Sequence, residues 1–195
     1  MPHSEQSDAF PARALIALGA NAASPEGPPA ATLRAAMAAV ARLGRGARRS
    51  RLWRSPAFPA GSGPDFVNAA MAIETDRPAA ELLAALHAIE ARFGRERQAR
   101  WGPRSLDLDL LALGAQIAPD LAGWTLWRDL PLERQSREAP DRLILPHPRL
   151  QDRGFVLVPL AEVAPGWRHP VTGLDVMAMR DALPAQARAE LAPLG

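Results

Sequence analysis

Residues 66–74, with the sequence FVNAAMAIE, decide the fold, because polar and apolar positions alternate along them in the manner of a half-buried β-strand. Pro78 follows four residues later and starts a helical pattern that runs to Phe93, where Gly94 ends it. The run from Leu106 to Leu113 then returns as a second strand. These residues predict a strand–helix–strand unit.

A similar pattern lies upstream of this unit. The apolar run from Ala14 to Leu18 predicts a buried strand, and residues 31–43 have apolar side chains at helical spacing. Residues 47–53 predict a further strand, which follows the stop signals Gly44 and Gly46. The order strand–helix–strand–strand–helix–strand predicts an α+β fold with a ferredoxin-like antiparallel sheet and both helices on one face.

The length of 195 residues and a hydrophobic content of 48% favour one compact domain. Residues 1–12 are predicted to be a disordered leader and residues 13–195 a single domain. An irregular insertion is expected at about 115–142, and it carries Trp124 and Trp127 three positions apart, with no role that the sequence decides.

The C-terminal part of the chain is expected to add structure to the sheet domain. A short apolar segment lies at 155–163, and a final helix is predicted from about Leu174. These segments are the predicted C-terminal additions.

The residue types exclude several kinds of chemistry. The chain has no Lys and no Cys, which excludes a Schiff base, the lysine-containing phosphate loop, disulfides and thiolate zinc sites. The four histidines have no zinc-like spacing, so a metal is expected on carboxylate oxygens, which favours magnesium. No signal peptide and no membrane-spanning run is found, and a cytoplasmic enzyme without a membrane partner is expected.

Two carboxylates, Asp107 and Asp109, lie two positions apart on the predicted strand and therefore point to the same face. They repel each other unless a cation lies between them, and magnesium held by one or two carboxylates and substrate phosphates is a common arrangement. The alternative is a half-buried strand whose Asp side chains are only solvated.

Arginines crowd the loop before this strand, at positions 95, 97, 100 and 104. A helix dipole explains cations at the end of the preceding helix, but it does not reach Arg100 or Arg104. Guanidinium groups bind phosphate in a bidentate manner. Carboxylates beside several arginines predict a polyphosphate site.

The run RWGPRSLDLDL at residues 100–110 closely resembles the signature of 6-hydroxymethyl-7,8-dihydropterin pyrophosphokinase. Other blocks agree with that family in order and spacing, and the resemblance covers roughly residues 13–170. These blocks are residues 17–21 (ALGAN), 55–56 (SP), 64–69 (PDFVNA), 145–148 (LPHP) and 152–155 (DRGF).

The resemblance implies a nucleotide site with two magnesium ions and ATP as the co-substrate. Asp107 and Asp109 would bind the metal ions, and they would form the catalytic group together with Arg95 and Arg104. The ATP contacts that the family implies are Glu90, Arg95, Arg97, Arg100, Trp101, Arg104, His147 and Arg153, with residues 97, 100 and 101 on a mobile loop. His87 lies where a polar amide contacts the nucleotide in the family, so the chain departs from the family at this position.

The resemblance also implies a pterin site. The ring would stack on Phe155 with Phe58 near its other face, and Asn68 would bind its polar edge. Ser55 and Pro56 belong to the loop whose backbone would bind the ring. Phe66 is included in the site, although the family often has Tyr there.

The implied reaction transfers pyrophosphate from ATP to the hydroxymethyl group of the dihydropterin, with release of AMP, in folate biosynthesis. The enzyme is expected to be a monomer that binds small molecules and no nucleic acid. Two alternatives are a single-stranded nucleic-acid-binding module, which a ferredoxin-like sheet and an arginine cluster allow, and a homologue that binds pterin without catalysis. The intact Asp107 and Asp109 pair argues against the second.

Overall fold

The computed structural model describes residues 11–57, 63–94, 104–131, 134, 138 and 140–194. In this part of the chain the strands form one antiparallel sheet in the order β5-β1-β4-β3-β6, and β2 also pairs with β4. The strands are β1 (Ala12–Ala20), β2 (Arg45–Arg49), β3 (Trp53–Ser55), β4 (Phe66–Thr75), β5 (Asp107–Leu113) and β6 (Ala192–Pro193).

The helices lie between and after these strands. They are α1 (Pro29–Val40), α2 (Ala79–Arg92), α3 (Leu121–Arg128), α4 (Gly154–Val163), α5 (Val176–Ala182) and α6 (Ala185–Ala189), with 3-10 turns at Ala41–Leu43 and Leu150–Asp152. Within the described ranges, none of these helices has the length and apolar character that a membrane span requires.

The alternation along β4 gives the sheet two apolar faces. Met71 and Ile73 pack into one core with the side chains of α1 and α2. Ala70 and Ala72 point the other way and pack into a second core with α4 and α5. The C-terminal helices therefore cover the face that α1 and α2 leave free.

The predicted mixture of helices with an antiparallel sheet is confirmed. The predicted strand at 47–53 is divided into β2 and β3, because Ser50 replaces part of the strand pairing with its side chain. The amide of Ala70 donates to the Ser50 hydroxyl oxygen at 2.9 Å, while the amide of Ser50 donates to the Ala70 carbonyl at 2.9 Å. The segment at 155–163 is a helix, α4. The helix predicted from about Leu174 is α5, and it is not the final one, because α6 follows it.

The segment 115–142 was predicted to be irregular, and α3 corrects that prediction for residues 121–128. The side chain of Asp120 caps this helix by accepting from the amide of Gly123 at 2.7 Å. Residues 1–10 lie outside the described residues, so the leader stays a prediction; β1 begins at Ala12.

Candidate active site

Asp107 and Asp109 lie at the start of β5, opposite Gly19 and Ala17 of β1. Leu108 between them is 3% exposed and belongs to the core under α1 and α2. Because side chains alternate along a strand, both half-buried carboxylates point to the face that carries α4.

Arg104 forms a direct hydrogen bond with Asp107, in which its Nη1 atom donates to Oδ2 of that carboxylate. The backbone of Arg104 is fixed by Asn21 at the end of β1. The Asn21 side-chain oxygen accepts from the Arg104 amide at 2.8 Å, and the Arg104 carbonyl accepts from the amide of Asn21 at 3.0 Å. The position of this guanidinium is thus set by the end of a central strand.

Asn21 also reaches a second loop. Its Nδ2 atom donates to the carbonyl of Pro64, just before β4, at 3.3 Å. The residue is only 8% exposed. One buried amide side chain therefore connects the loop before β4 with the residue that binds Asp107.

Arg153 approaches the second carboxylate from the start of α4. Its Nη1 atom lies 3.9 Å from Oδ2 of Asp109. The same guanidinium lies over the ring of Phe155, with its central carbon 5.7 Å from the ring centroid. Phe155 is 40% exposed, an uncommon state for a phenylalanine and one that leaves its ring accessible.

His147 lies beside these groups in a fixed tautomer. Burial, with a smaller effect of Arg153, lowers the pKa of His147 to about 3, so the ring is neutral at pH 7. Its Nδ1 atom accepts from the amide of Arg149 at 3.1 Å. The proton therefore sits on Nε2, which makes that atom a hydrogen-bond donor suited to an oxygen of a ligand.

A cavity of about 410 Å³ lies beside β5. Asp107, Asp109 and His147 are its polar members from the predicted site. Its other walls come from α2, α3 and the segment before His147, and they include Leu83, His87, Trp127, Arg142 and Ile144. His87, at which the sequence departs from the family, is therefore a wall of the same cavity.

Glu90, predicted to contact the nucleotide, has a different contact in the structure. It is 1% exposed, and its Oε1 atom accepts from the amide of Leu108 at 2.7 Å. This bond fixes the backbone between the two aspartates. Glu90 is not one of the described residues that line the cavity.

Asn68, one of the predicted pterin residues, lies two strands away from Asp107 on the same face. Asn68 of β4 is 4% exposed and donates to the hydroxyl of Ser55 at 2.9 Å. Across the sheet, Asp107 pairs with Gly19 and Gly19 pairs with Asn68. Neighbouring strands lie about 4.8 Å apart, so about 10 Å separates the backbones of Asp107 and Asn68.

Gly19 leaves the space between these two residues open. A Cβ atom at this position would lie 3.5 Å from Oδ1 of Asn68 and 3.9 Å from the ring of Phe66. A larger side chain would therefore fill the surface that connects the carboxylates with Asn68. Pro56 is exposed at the edge of the described loop.

Several predicted site residues lie outside the described residues. They are Phe58, Arg95, Arg97, Arg100 and Trp101.

Sequence reasoning assigned no role to Gly19, Asn21 or Trp127. Gly19 and Asn21 lie in the block at 17–21 that carries part of the resemblance, which was the available signal. The spacing of that block does not show which atoms reach Arg104 or Pro64. Trp127 stood out in the sequence, but its contact depends on how α3 packs.

Fold and site together define a mixed helix and antiparallel-sheet protein with an aspartate pair and a neutral histidine around one cavity. Arg104 is bound to the first of these aspartates, and the arrangement is suited to a magnesium polyphosphate. The family model for 7,8-dihydro-6-hydroxymethylpterin-pyrophosphokinase matches residues 15–165. The chain belongs to this family.

Two curated relatives carry the name 2-amino-4-hydroxy-6-hydroxymethyldihydropteridine pyrophosphokinase. The protein from Synechocystis is 37% identical over 182 residues, which is 92% of this chain and 80% of the relative. The protein from Pseudomonas aeruginosa is 39% identical over 160 residues, which is 81% of this chain and 84% of the relative.

Solved structures agree on the fold. A wild-type HPPK-DHPS from Plasmodium falciparum with pteroate has a TM-score of 0.60 at 12% identity and covers 87% of this chain. An HPPK-DHPS in complex with substrates has a TM-score of 0.58 at 10% identity and covers 89% of this chain. The chain spans less than half the length of these two structures, 42% and 43%.

Family membership confirms the predicted enzyme and reaction. The chain is a diphosphotransferase that transfers pyrophosphate from ATP to the hydroxymethyl group of 6-hydroxymethyl-7,8-dihydropterin in folate biosynthesis. Family membership therefore favours an enzyme over the alternative of a single-stranded nucleic-acid-binding module.

Proposed function

We propose that the carboxylate face of β5 binds magnesium-ATP and that the surface from Gly19 to Asn68 binds the dihydropterin. The observation that carries this proposal is the row Asp107–Gly19–Asn68 across three neighbouring strands. It puts the carboxylates and a buried amide on one face with an open glycine surface between them.

The residues at the carboxylate face fit magnesium. Magnesium prefers oxygen ligands and takes one or two carboxylates, with phosphates and water as the remaining ligands. Asp107 and Asp109 supply two such groups; no larger cluster of acidic or histidine ligands occurs in the ranges that the structure describes. Both carboxylates already attract cations, Arg104 and Arg153.

Two magnesium ions would neutralise charge on the triphosphate and hold its phosphates in place. Arg104 would then bind a phosphate oxygen, because its backbone is fixed by Asn21 and its guanidinium reaches the metal-binding carboxylate. Arg153 is placed to do the same from the side of Asp109. Arg95, Arg97, Arg100 and Trp101 remain predicted ATP contacts.

His147 would donate from Nε2 to an oxygen of the nucleotide. Its neutral state matters, because a neutral ring with Nδ1 already accepting has one defined donor. Glu90 would act on the nucleotide site through the backbone of β5, to which it is bound.

On the pterin side, Asn68 would bind the polar edge of the ring. Its Nδ2 atom is held by Ser55, so the orientation of its amide is fixed before the substrate arrives. Phe155 offers an exposed ring for stacking, with Phe66 half-buried beside Gly19. Ser55, Pro56 and Phe58 complete the proposed pterin site.

The ferredoxin-like topology and the C-terminal additions belong to the same proposal. The strand order β5-β1-β4-β3, with α1 and α2 as crossover helices between strands, supports a ferredoxin-like sheet with C-terminal additions. A single domain, a monomeric state and a cytoplasmic location stay predictions.

The direct test is incubation with magnesium, ATP and 6-hydroxymethyl-7,8-dihydropterin, with AMP as the product that is measured. AMP is expected in amounts equal to the pyrophosphorylated pterin. ADP in place of AMP would show transfer of a single phosphoryl group and would contradict the reaction.

Replacement of Asp107 tests the residue assignment. We expect Asp107→Ala to reduce AMP formation by at least about 100-fold, because the magnesium ligand and the partner of Arg104 are both lost. Folding is checked by circular dichroism and thermal unfolding. Near-normal turnover in a folded variant would remove Asp107 from the metal site.

A further inference from the structure

The structure separates the two tryptophans of α3, which the sequence left without a role. Trp124 is 4% exposed, and its indole N–H donates to the carbonyl of Pro146 at 2.8 Å. Trp127, three positions later, is half-buried and forms a wall of the cavity that contains Asp107 and Asp109. Trp124 therefore anchors α3 to the rest of the protein, and Trp127 lines the cavity.

The helix that carries Trp127 is held at several points. Trp124 packs edge-on against His169, with ring centroids 5.3 Å apart. Arg128 lies 3.7 Å from the carboxylate of Asp152. Ahead of the helix, the backbone of Ala118 exchanges hydrogen bonds with Leu145, just before His147. Trp127 is therefore presented to the cavity by a fixed element.

The walls of the cavity match the two chemical halves of a nucleotide. Asp107, Asp109 and His147 are suited to a metal-bound polyphosphate. Leu83, Leu110 and Ile144 are apolar walls of the same cavity, beside Trp127. A purine has flat apolar faces, and aromatic side chains bind such faces by stacking.

A pterin is also flat, but its proposed residues lie elsewhere. Asn68, Phe66 and Phe155 are not among the described residues that line this cavity. The row from Asp107 to Asn68 leads across β1, whereas Trp127 comes from α3. The flat ligand available to Trp127 is therefore the base of ATP.

We propose that Trp127 stacks on the adenine base of ATP and is a specificity-determining residue for the nucleotide. This inference rests on the proposed placement of ATP at Asp107 and Asp109. Segment 115–142 thereby supplies a wall of the nucleotide site. Loss of one base–aromatic stack weakens binding by about 5- to 150-fold.

The test compares a ligand that has the base with one that lacks it. The first is an ATP analogue with a methylene group between the α- and β-phosphates, which blocks pyrophosphate transfer, and the second is inorganic tripolyphosphate. Both are titrated with magnesium into the full chain by calorimetry. We expect Trp127→Ala to weaken the analogue at least about fivefold and to leave tripolyphosphate unchanged.

Two variants serve as controls. Trp127→Phe keeps an aromatic face and is expected to stay close to the unmodified protein. Leu126→Ala changes the neighbouring residue on α3, which is 64% exposed, and is expected to change neither affinity. Folding of all variants is compared by thermal unfolding.

Unchanged affinity of Trp127→Ala for the analogue would overturn the stacking role. Equal weakening of both ligands would also overturn it, because the base would then not be involved. A different result would contradict the placement of ATP at Asp107 and Asp109 itself. In that case Asp107→Ala would bind both ligands as tightly as the unmodified protein does.

Discussion

Asn21 is a buried residue whose side chain joins two loops. Its oxygen accepts from the amide of Arg104, and its nitrogen donates to the carbonyl of Pro64. Arg104 belongs to the proposed phosphate side, and Pro64 lies in the loop before β4, the strand that carries Asn68 of the proposed pterin site. We therefore infer that Asn21 positions residues of both proposed substrate sites.

Two substitutions at Asn21 separate its two bonds. Asn21→Ala removes both and is expected to lower kcat by about 10- to 100-fold, because small displacements of Arg104 are costly in a phosphate-transfer site. Asn21→Asp keeps the acceptor for the Arg104 amide and places a carboxylate against the Pro64 carbonyl. We expect it to raise KM for the pterin and to leave KM for ATP nearly unchanged.

Steady-state kinetics with each substrate varied in turn provide the measurement. A purely structural role would lower the thermal stability of both variants and change both KM values together. That outcome would count against the positioning role.

Sequence alone predicted the shared face of Asp107 and Asp109, which follows from strand alternation. Asp107 and Asp109 share a face because they lie two positions apart, and no tertiary information is needed for that prediction. The role of Asn21 depends on bonds to residues 43 and 83 positions away. Such pairs follow from the packing of loops, which a local pattern does not encode.

At the scale of elements, α3 is the part of segment 115–142 that reaches the cavity containing Asp107 and Asp109. Its fixed point is the bond from Trp124 to the carbonyl of Pro146, the residue before His147. The sequence of this helix has a glycine and only eight residues, so local propensity predicts it weakly. Tertiary contacts of Trp124 stabilise it.

Trp124→Phe keeps most of the apolar contact and removes the indole donor. The carbonyl of Pro146 then loses its buried partner, and we expect the free energy of unfolding to fall by about 1–3 kcal/mol. KM for ATP should rise, because His147 follows Pro146 directly. Urea unfolding and ATP kinetics provide the two measurements.

The outcome that contradicts this link is a stable variant with unchanged KM for ATP. Trp167→Phe is a suitable comparison, because its indole also donates to a backbone carbonyl, that of Gly114, at 2.9 Å. It is expected to lose stability without a change in KM for ATP.

At the scale of the molecule, the sheet has a core on each face, and His169 lies beside the second core. It is fully buried between Trp124 and Trp167. Burial lowers the pKa of His169 to about 4, and an unfolded histidine has a pKa of about 6.5. The unfolded chain therefore binds the proton first as the pH falls.

The stability that neutral His169 contributes is complete above about pH 6.5 and is lost as the pH falls toward about 4. The expected slope is at most about 1.4 kcal/mol per pH unit for this group. His147, whose pKa is also lowered, acts in the same direction. Urea unfolding at a series of pH values between 7 and about 4.5 measures the effect.

The comparison for this prediction is His169→Asn, which retains an acceptor near the amides of Val171 and Thr172. Its unfolding free energy should depend less on pH than that of the unmodified protein. The same slope in both proteins would show that His169 does not contribute.

The sequence predicts the α+β class of the fold better than it predicts the exact strand bounds and the packing of the C-terminal helices. Periodicity gave the strands β1, β4 and β5 and the helices α1 and α2, because each has a clear apolar pattern. The division at Ser50 depends on a side chain that substitutes for backbone pairing. The position of α4 and α5 over the second face depends on long-range packing.

The bond from Glu90 to the amide of Leu108 has a further consequence for how copies of the protein meet. β5 lies at one end of the sheet, and the backbone amides of an edge strand can template a strand from another molecule. Glu90 occupies one of these donors, and on β2 the exposed side chains of Arg45, Arg48 and Arg49 repel an approaching copy. We therefore expect the Glu90 carboxylate, which fixes the backbone between the aspartates, also to hinder edge-to-edge pairing of β5 with another copy.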